Sequence, residues 1–413
     1  MRSVTTPRVF YGWVVVWAAF AVTFVGFGSA YTFSAFVQPL QSEFGASRGS
    51  VSLVFSLAGF LYFGLGVVSG PLADRWGPRR LAILGMSLVG FGLMLAGEAR
   101  SLVEVYVAYG LGVGLGVGFA YVPVVGTVQR WFVKRRGLAS GLAVSGIGLG
   151  TLVMPPLASL LIEIIGWRET YLVLGASAAA LGIGVSLLIE SEPSARGLAP
   201  DGESSSIAST AERRASASIR AAMSSKAFRS LYAACLICSF GVFVPFVHLV
   251  PSGADHGIGQ TAAAMLLGLI GAGSTVGRFV LGGIADRMGR HWFLVTTYAG
   301  MAVAMAIWAL GSTFESLAVF ALVFGLFYGG WVAILPSIVM DRFGGANVSG
   351  LIGVLYTSVA FGTLIGPTVA GYLFDSTHSY MLPIICSLAA NIVAAAITAR
   401  ALCHARRNEL VSS

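Results

Sequence analysis

Twelve runs of apolar residues divide this chain, and each is close to the ~20 residues that a helix needs to cross a bilayer. Of the 413 residues, 56% are hydrophobic and only 10% are charged, a balance that soluble domains do not show. We therefore predict an all-α membrane protein with twelve transmembrane helices whose outer surface contacts lipid. The predicted spans are 12–37, 49–73, 80–98, 101–127, 137–165, 169–189, 229–251, 260–285, 291–311, 316–340, 348–374 and 380–402.

The basic residues are distributed unevenly between the two sides of these spans. With the N-terminus in the cytoplasm, all but four of the 25 Lys and Arg are cytoplasmic; Arg48, Arg100 and Arg168 fall outside, and Arg278 lies within a span. The positive-inside rule then predicts both termini in the cytoplasm. We expect the plasma membrane or the bacterial inner membrane as the location. The net charge of +8 does not indicate nucleic-acid binding, because the cations are not gathered on one soluble face.

An internal repeat with an offset of 212 residues organises the chain. The segment 70–77 (GPLADRWG) recurs as 282–289 (GGIADRMG), and Gly141, Gly150 and Pro155 recur as Gly353, Gly362 and Pro367. Because this offset spans six helices, both copies start on the same side, which predicts two pseudo-symmetric six-helix bundles, 1–189 and 228–413. Residues 190–227, rich in Ser, Ala and Arg, are predicted to form a mobile cytoplasmic linker.

The loop motif GPLADRWGPRR (70–80), its echo GGIADRMGR (282–290) and the two six-helix halves resemble the major facilitator superfamily (MFS). Three further segments resemble its monocarboxylate and oxalate/formate group: Tyr11-Gly12-Trp13, QRWFVKRRGLASG (129–141) and HLVPSGADHG (248–257). The resemblance covers the whole chain and implies a transporter without cofactor or metal. It also implies that the loop motif latches an inner gate, formed here by Gly70, Asp74, Arg75, Gly77, Arg79, Asp286 and Arg287.

A single charged residue interrupts the span 260–285. Arg278 lies ~12 Å along a helix from Asp286, inside the ~30 Å hydrocarbon layer. A guanidinium there costs on the order of 2.5 kcal/mol by insertion scales and does not lose its proton, so it must face protein or a watery cavity. None of the 17 acidic residues lies in the middle of a span. We therefore predict an anion-binding site at Arg278, the alternative being an arginine satisfied by carbonyls, tyrosines and water.

The resemblance sharpens the expected ligand. Eukaryotic-type monocarboxylate carriers place an Asp one helical turn before this Arg, where the present chain has Ser274, a hydroxyl that orients the guanidinium without neutralising it. Oxalate carriers have a second cation in the eleventh helix, whereas residues 355–361 contain none. One positive charge matches one carboxylate through two parallel hydrogen bonds, so a small organic monoanion is the predicted substrate.

Several other residues are candidates for the transport site. Tyr31, Tyr121, Tyr328 and Trp331 are predicted to line the cavity around Arg278, with simple packing as the alternative. His248 has a pKa range suited to proton handling, and Asp255 resembles the position of a proton-carrying acid in bacterial monocarboxylate carriers. Both are candidates for proton coupling, although a hydrogen-bonded structural role fits His248 equally well.

Together these features predict a secondary transporter that moves an organic anion by alternating access, as proton symport or anion exchange. A carrier that exports drug-like or other metabolites shares the fold, and a non-transporting receptor or assembly subunit is the alternative from another class. An enzyme is not expected, because the sequence shows no metal-ligand cluster and no nucleophile–base constellation.

Overall fold

A computed structural model describes residues 10–132, 135–202, 219–343 and 348–412, and every regular element among them is helical. A π-helical segment spans Tyr106–Leu111, and two short 3₁₀ turns (Pro193–Arg196 and Pro200–Gly202) follow the helix that ends at Ser186. The helices before the linker, here called the N-terminal helices, are α1 (Tyr11–Tyr31), α2 (Phe33–Phe44), α3 (Arg48–Gly64), α4 (Gly66–Trp76), α5 (Pro78–Gly97), α6 (Leu102–Val105), α7 (Gly112–Trp131), α8 (Arg136–Ile165) and α9 (Trp167–Ser186).

The second part of the chain continues the helical pattern with fewer breaks. A short helix within the predicted linker precedes seven longer helices. We call these eight helices the C-terminal helices. They are α10 (Ile219–Ser224), α11 (Lys226–Val242), α12 (Val244–Asp255), α13 (Gln260–Met288), α14 (Arg290–Leu310), α15 (Phe314–Phe343), α16 (Val348–Thr377) and α17 (Met381–Ser412).

The predicted number of spans agrees with the structure. Among the described residues, eleven helices are long and apolar enough to cross a membrane. Arg48–Gly64 and Gly66–Ala73, which meet at 43°, make a twelfth if the bent pair is one span. Glycines flank this break, and paired small residues are a common cause of sharp helix kinks. The long exposed apolar side chains, such as Phe91, Leu95 and Leu181, face outward where lipid is the solvent.

Both loop motifs fold in the same way. Gly77 ends α4 and begins α5 with φ +85° and ψ 142°, and Gly289 links α13 to α14 with φ +85° and ψ 128°. Only glycine adopts this conformation without strain, because it has no Cβ. The shared conformation at positions 212 residues apart explains why both copies of the repeat have a glycine there.

Glycines also set the distance between the helices that carry the central cavity. A Cβ on Gly148 of α8 would collide with Thr275 Oγ1, and one on Gly271 of α13 would meet the Gly148 carbonyl oxygen at 2.5 Å. The two backbones therefore touch, as small residues allow in membrane helices. This contact brings the backbone of α8 within reach of Arg278.

The helix ends and loops gather at two opposite ends of the protein, which we call the Arg48 end and the Arg79 end. The Arg48 end holds residues 43–48, 97–101, 165–168, 255–260 and 375–381. The Arg79 end holds residues 76–80, 131–132, 186–196, 287–291 and 341–343.

Candidate functional site

A small cavity lies between the N-terminal and C-terminal helices. Its volume is about 20 Å³, a little above the ~10–15 Å³ that a cavity needs to hold one water molecule. In this conformation the helices close around the site, so a larger ligand requires them to separate. The cavity is lined by Phe27, Tyr31, Phe63, Tyr121, Ile147, Arg278, Tyr328, Trp331, Val332, Leu335, Tyr356 and Val359.

Arg278 is the one charged side chain among these twelve lining residues. It is only 9% exposed, and its Nη1 donates a hydrogen bond of 2.6 Å to the carbonyl oxygen of Val144 on α8. Nε and Nη2 have no hydrogen-bond partner within the described part of the chain. Because the lining set contains no carboxylate, the guanidinium charge is not neutralised by the cavity walls.

The two unpaired nitrogens share one edge of the planar guanidinium. Nε–H and Nη2–H point in parallel, and this is the edge that receives both oxygens of a carboxylate in bidentate pairs. The bond from Nη1 to Val144 holds the opposite side of the group against α8. A buried donor without a partner is costly, so the edge is a site of strong, unfilled hydrogen-bonding capacity.

Aromatic side chains from both sets of helices surround the cavity. The Tyr31 hydroxyl of α1 lies 3.5 Å from the Tyr328 hydroxyl of α15, and the Tyr31 ring stacks on Phe246 with centroids 4.7 Å apart. Phe27 contacts the Tyr121 ring edge to face at 5.0 Å. Trp331 donates its indole N–H to the Tyr298 hydroxyl at 3.3 Å, which directs that polar group away from the cavity.

The structure therefore brings together most of the substrate-binding residues predicted from the sequence. Arg278, Tyr31, Tyr121, Tyr328 and Trp331 line one cavity. Ser274 does not line this cavity in the described structure. The residue is buried, and its backbone packs against Gly329 so closely that a Cβ there would collide with it. The Ser274 hydroxyl has no hydrogen-bond partner among the described residues.

Sequence reasoning missed the other lining residues. Tyr356 lies in the 355–361 segment, where the informative sequence feature is the absence of a second cation, and Phe27, Phe63, Val332 and Leu335 are ordinary apolar residues of their spans. Ile147 and Val359 also line the cavity and stand 212 residues apart. The internal repeat is therefore a signal that pairs these two positions.

The structure places both proton-coupling candidates near the Arg48 end, away from the cavity lining. His248 is fully buried, with Nε2 2.8 Å from the Pro367 carbonyl oxygen and Nδ1 3.2 Å from the Tyr380 hydroxyl. Asp255, at the end of α12, binds Arg48 through both carboxylate oxygens at 2.6 and 2.7 Å. Neither residue is brought to Arg278, and Arg48 is a partner that no sequence pattern suggests.

The loop-motif residues lie at the Arg79 end. Arg79 donates from Nε to the Ile189 carbonyl oxygen at 2.8 Å and pairs with Glu190 at 2.6 Å. Arg75 and Arg287 are exposed, Gly70 lies within α4, and Gly77 forms the turn between α4 and α5. The side chains of Asp74 and Asp286 lie outside the described part of the structure.

Comparisons with known proteins identify the family. The sequence model of the Major Facilitator Superfamily matches residues 18–284 and 230–409. The chain belongs to this superfamily. It is 29% identical to "Monocarboxylate transporter 12-B" of Danio rerio, over 92% of this chain and 84% of that protein. It is 26% identical to "Monocarboxylate transporter 11" of Homo sapiens, over 90% and 78%, and 28% identical to "MFS-type transporter pynF" of Aspergillus niger, over 89% and 82%.

A solved structure of low sequence identity supports the fold. The crystal structure of a bacterial homologue of the human lysosomal transporter Spinster, inward-facing and unoccupied, matches 95% of this chain with a TM-score of 0.72 at 15% identity, covering 97% of that chain. The predicted MFS fold and the resemblance to monocarboxylate transporters are thus confirmed. The chain is a multi-pass membrane protein and an MFS transporter related to monocarboxylate transporters, and its relatives are transporters rather than enzymes.

Proposed function

We propose that this MFS protein transports a small organic monocarboxylate by alternating access and that Arg278 binds the carboxylate. The observation that carries the proposal is the free Nε–Nη2 edge of a buried guanidinium in a cavity between the two sets of helices. An anion is the ligand that such an edge favours most. The names of the related monocarboxylate transporters support the same substrate class.

A single negative charge fits this site better than two. Arg278 is the one cation among the lining residues, and the remaining walls are apolar or carry tyrosine hydroxyls. A second carboxylate would be desolvated against these walls without a charged partner, which is costly. The substrate body is therefore small and largely apolar.

Two coupling modes fit a carrier of this kind. The unneutralised Arg278 favours anion exchange, because an empty carrier must carry an uncompensated charge through a closed state of low dielectric. Proton symport requires a titratable group, for which His248 and Asp255 remain the candidates. In this conformation both ring nitrogens of His248 and both oxygens of Asp255 have protein partners.

We further propose that residues 1–189 and 228–413 rock against each other in lipid, with residues 190–227 as the connector. We place the protein in the plasma membrane or the bacterial inner membrane, and the distribution of Lys and Arg supports an orientation with the Arg79 end and both termini in the cytoplasm. The loop motif, with Asp74 and Asp286, is the proposed gate at that end.

Uptake by purified protein in proteoliposomes tests the central claim. We expect Arg278→Ala to reduce uptake of small monocarboxylates by about 100-fold or more, since it removes the charged partner from a buried pair. Arg168→Ala is the matched control, because Arg168 pairs with Glu43 at the Arg48 end and does not line the cavity. Unchanged uptake in Arg278→Ala, with normal expression, would refute carboxylate binding at this site.

Two comparisons in the same assay separate the coupling modes. Uptake that requires internal anion and ignores an imposed pH gradient indicates exchange, whereas uptake driven by the gradient into anion-free vesicles indicates symport. Flux of any substrate excludes a receptor or assembly subunit that does not transport.

Export of another metabolite is the second candidate, because the chain is about as similar to "MFS-type transporter pynF", whose name does not specify a monocarboxylate, as to the monocarboxylate transporters. A thermal-shift screen of the purified protein against small carboxylates and uncharged compounds distinguishes the two. Stabilisation by uncharged compounds, retained in Arg278→Ala, would favour this alternative.

A further inference from the structure

A second arginine, Arg48, joins the two sets of helices at the Arg48 end. Its guanidinium donates from Nη1 to Asp255 Oδ2 at 2.6 Å and from Nη2 to Oδ1 at 2.7 Å, forming a bidentate pair between α3 and α12. Nη1 also donates to the Tyr380 hydroxyl at 2.8 Å, and the group lies 3.9 Å from the centroid of the Phe374 ring. Every one of these partners belongs to the C-terminal helices or the loop before α17.

The backbone at the start of α3 is held by the same part of the chain. Asp375 of α16 accepts the N–H of Arg48 through Oδ1 and the N–H of Gly49 through Oδ2, each at 2.9 Å. These N–H groups have no partner within their own helix, and a carboxylate is favourable at the positive end of the helix dipole. Asp375 therefore acts as an N-terminal cap that comes from a different helix.

Glycines allow α3 and α16 to touch beside this cap. A Cβ on Gly49 would meet the Tyr372 ring at 2.5 Å, and a Cβ on Gly371 would meet Cα of Gly49 at 2.7 Å. The contact is therefore backbone against backbone. Separation of α3 from α16 breaks the Asp375 cap, and separation of α3 from α12 breaks the Arg48–Asp255 pair.

A directional series of hydrogen bonds extends from Arg48 into the buried interior. The Pro367 carbonyl only accepts, which assigns the proton of a neutral His248 ring to Nε2 and leaves Nδ1 to accept from the Tyr380 hydroxyl. Tyr380 in turn accepts from Arg48. Each group donates to the next, so Arg48, Tyr380 and His248 are satisfied together.

Two ion pairs at the Arg79 end are of a different kind. Arg79 of α5 pairs with Glu190, the first residue of the linker after α9, and Arg290 pairs with Asp341, both in the C-terminal helices. These two pairs hold each set of helices together without joining one set to the other. The Arg48–Asp255 pair does join them.

We propose that Arg48, Asp255, Asp375 and Tyr380 form a latch that holds the Arg48 end closed, and that the cavity opens to that side only when the latch breaks. This proposal rests on the proposed alternating access, because the Arg48 latch would set the equilibrium between the closed and open states of this end. None of the four residues lines the cavity, so the latch acts through the separation of α3 from α12 and α16.

Hydrogen–deuterium exchange on the purified full-length protein, without any carboxylate, tests the latch. Asp255→Asn and Arg48→Gln should each raise amide exchange at 48–52 and at 375–380 by roughly tenfold, the scale expected on losing a partly exposed, hydrogen-bonded ion pair. The double variant should be no more open than Arg48→Gln alone, because Arg48→Gln has already removed the ion pair that Asp255→Asn weakens. Tyr380→Phe, which retains the ion pair, should have a smaller effect.

Arg168→Gln is the matched control. It breaks a pair at the same end, Arg168–Glu43, whose partners both lie in the N-terminal helices. We expect exchange to rise near 43 and 97–99 and to stay unchanged at 375–380. Wild-type exchange at 375–380 in Asp255→Asn, or effects that add in the double variant, would overturn the latch. The result is independent of uptake in Arg278→Ala, so failure of the carboxylate assignment would be recognised separately.

Discussion

Arg278 and Arg48 are both largely buried, yet their surroundings differ in almost every respect. Arg48 has a side-chain exposure of 11%, a bidentate carboxylate, a tyrosine hydroxyl and an aromatic ring beneath it. Arg278 has one backbone carbonyl and a bare edge that faces a cavity. Where the charge is neutralised, the arginine joins helices and stabilises one conformation. Where it is not, the arginine retains binding capacity for a ligand.

The difference has a thermodynamic consequence. A buried ion pair whose partners are both present is satisfied, and removing one partner leaves the other unpaired at substantial cost. A buried cation without a carboxylate already carries that cost in the folded protein. We therefore expect the cavity to bind an anion at a cost to the stability of the fold, and the Arg48 end to be stabilised in this conformation.

The largest expected effect combines two measurements on Arg278→Met. Uptake of a monocarboxylate should fall by about 100-fold or more, because the charged partner is gone. The unfolding temperature in detergent should stay the same or rise, because a neutral side chain of similar length replaces an unsatisfied cation. A clear fall in unfolding temperature would show that Arg278 is paired in the folded protein and would break the contrast with Arg48.

Arg48→Met is the converse substitution. It leaves Asp255 and the Tyr380 hydroxyl without the donor that Arg48 provides. We expect the free energy of unfolding to fall by about 2 kcal/mol. This is less than the loss for a fully buried ion pair, because Asp255 is partly exposed. Carboxylate binding, measured as ligand-induced thermal stabilisation, should persist. If Arg48→Met abolished binding while retaining stability, Arg48 would belong to the substrate site instead.

The sequence was sufficient to predict the helical spans and the buried position of Arg278, because hydrophobicity and charge along one helix are local properties. It also identified Tyr31, Tyr121, Tyr328 and Trp331 as lining candidates. Tyr356 and Val359 were missed, because cavity lining depends on the rotation of each helix about its own axis. The Arg48–Asp255 pair joins residues 207 positions apart, and no periodicity encodes which loop ends meet.

Arg278→Lys sharpens the comparison by separating charge from shape. Lysine retains the positive charge but presents a compact ammonium instead of two parallel N–H groups. Loss of one strong hydrogen bond should weaken monocarboxylate binding by about tenfold, compared with the near-complete loss in Arg278→Met. Calorimetric titration of the purified variants provides the measurement. Equal affinity in the Lys and Arg proteins would mean that the free edge does not act as a fork.

The smallest expected effect concerns the tyrosine hydroxyls of the cavity that Arg278 lines. Tyr31 and Tyr328 approach within 3.5 Å across the cavity, one from each set of helices, so their hydroxyls are placed to contact an anion held on Arg278. Removing one neutral hydrogen bond costs ~0.5–1.5 kcal/mol, so Tyr328→Phe should raise the KM for uptake a few-fold. The unfolding temperature should fall slightly, because the buried Tyr31 hydroxyl loses its partner.

Tyr171→Phe is the matched control for this last substitution. The Tyr171 hydroxyl is buried without a partner among the described residues, and the residue does not line the cavity. Its removal should leave KM unchanged and should stabilise the fold slightly, because an unsatisfied polar group is lost. If Tyr328→Phe behaved like Tyr171→Phe, the cavity tyrosines would be packing residues. Substrate recognition would then depend on Arg278 and on apolar contacts. The two sets of helices would both contact the substrate only through the apolar walls that close around it.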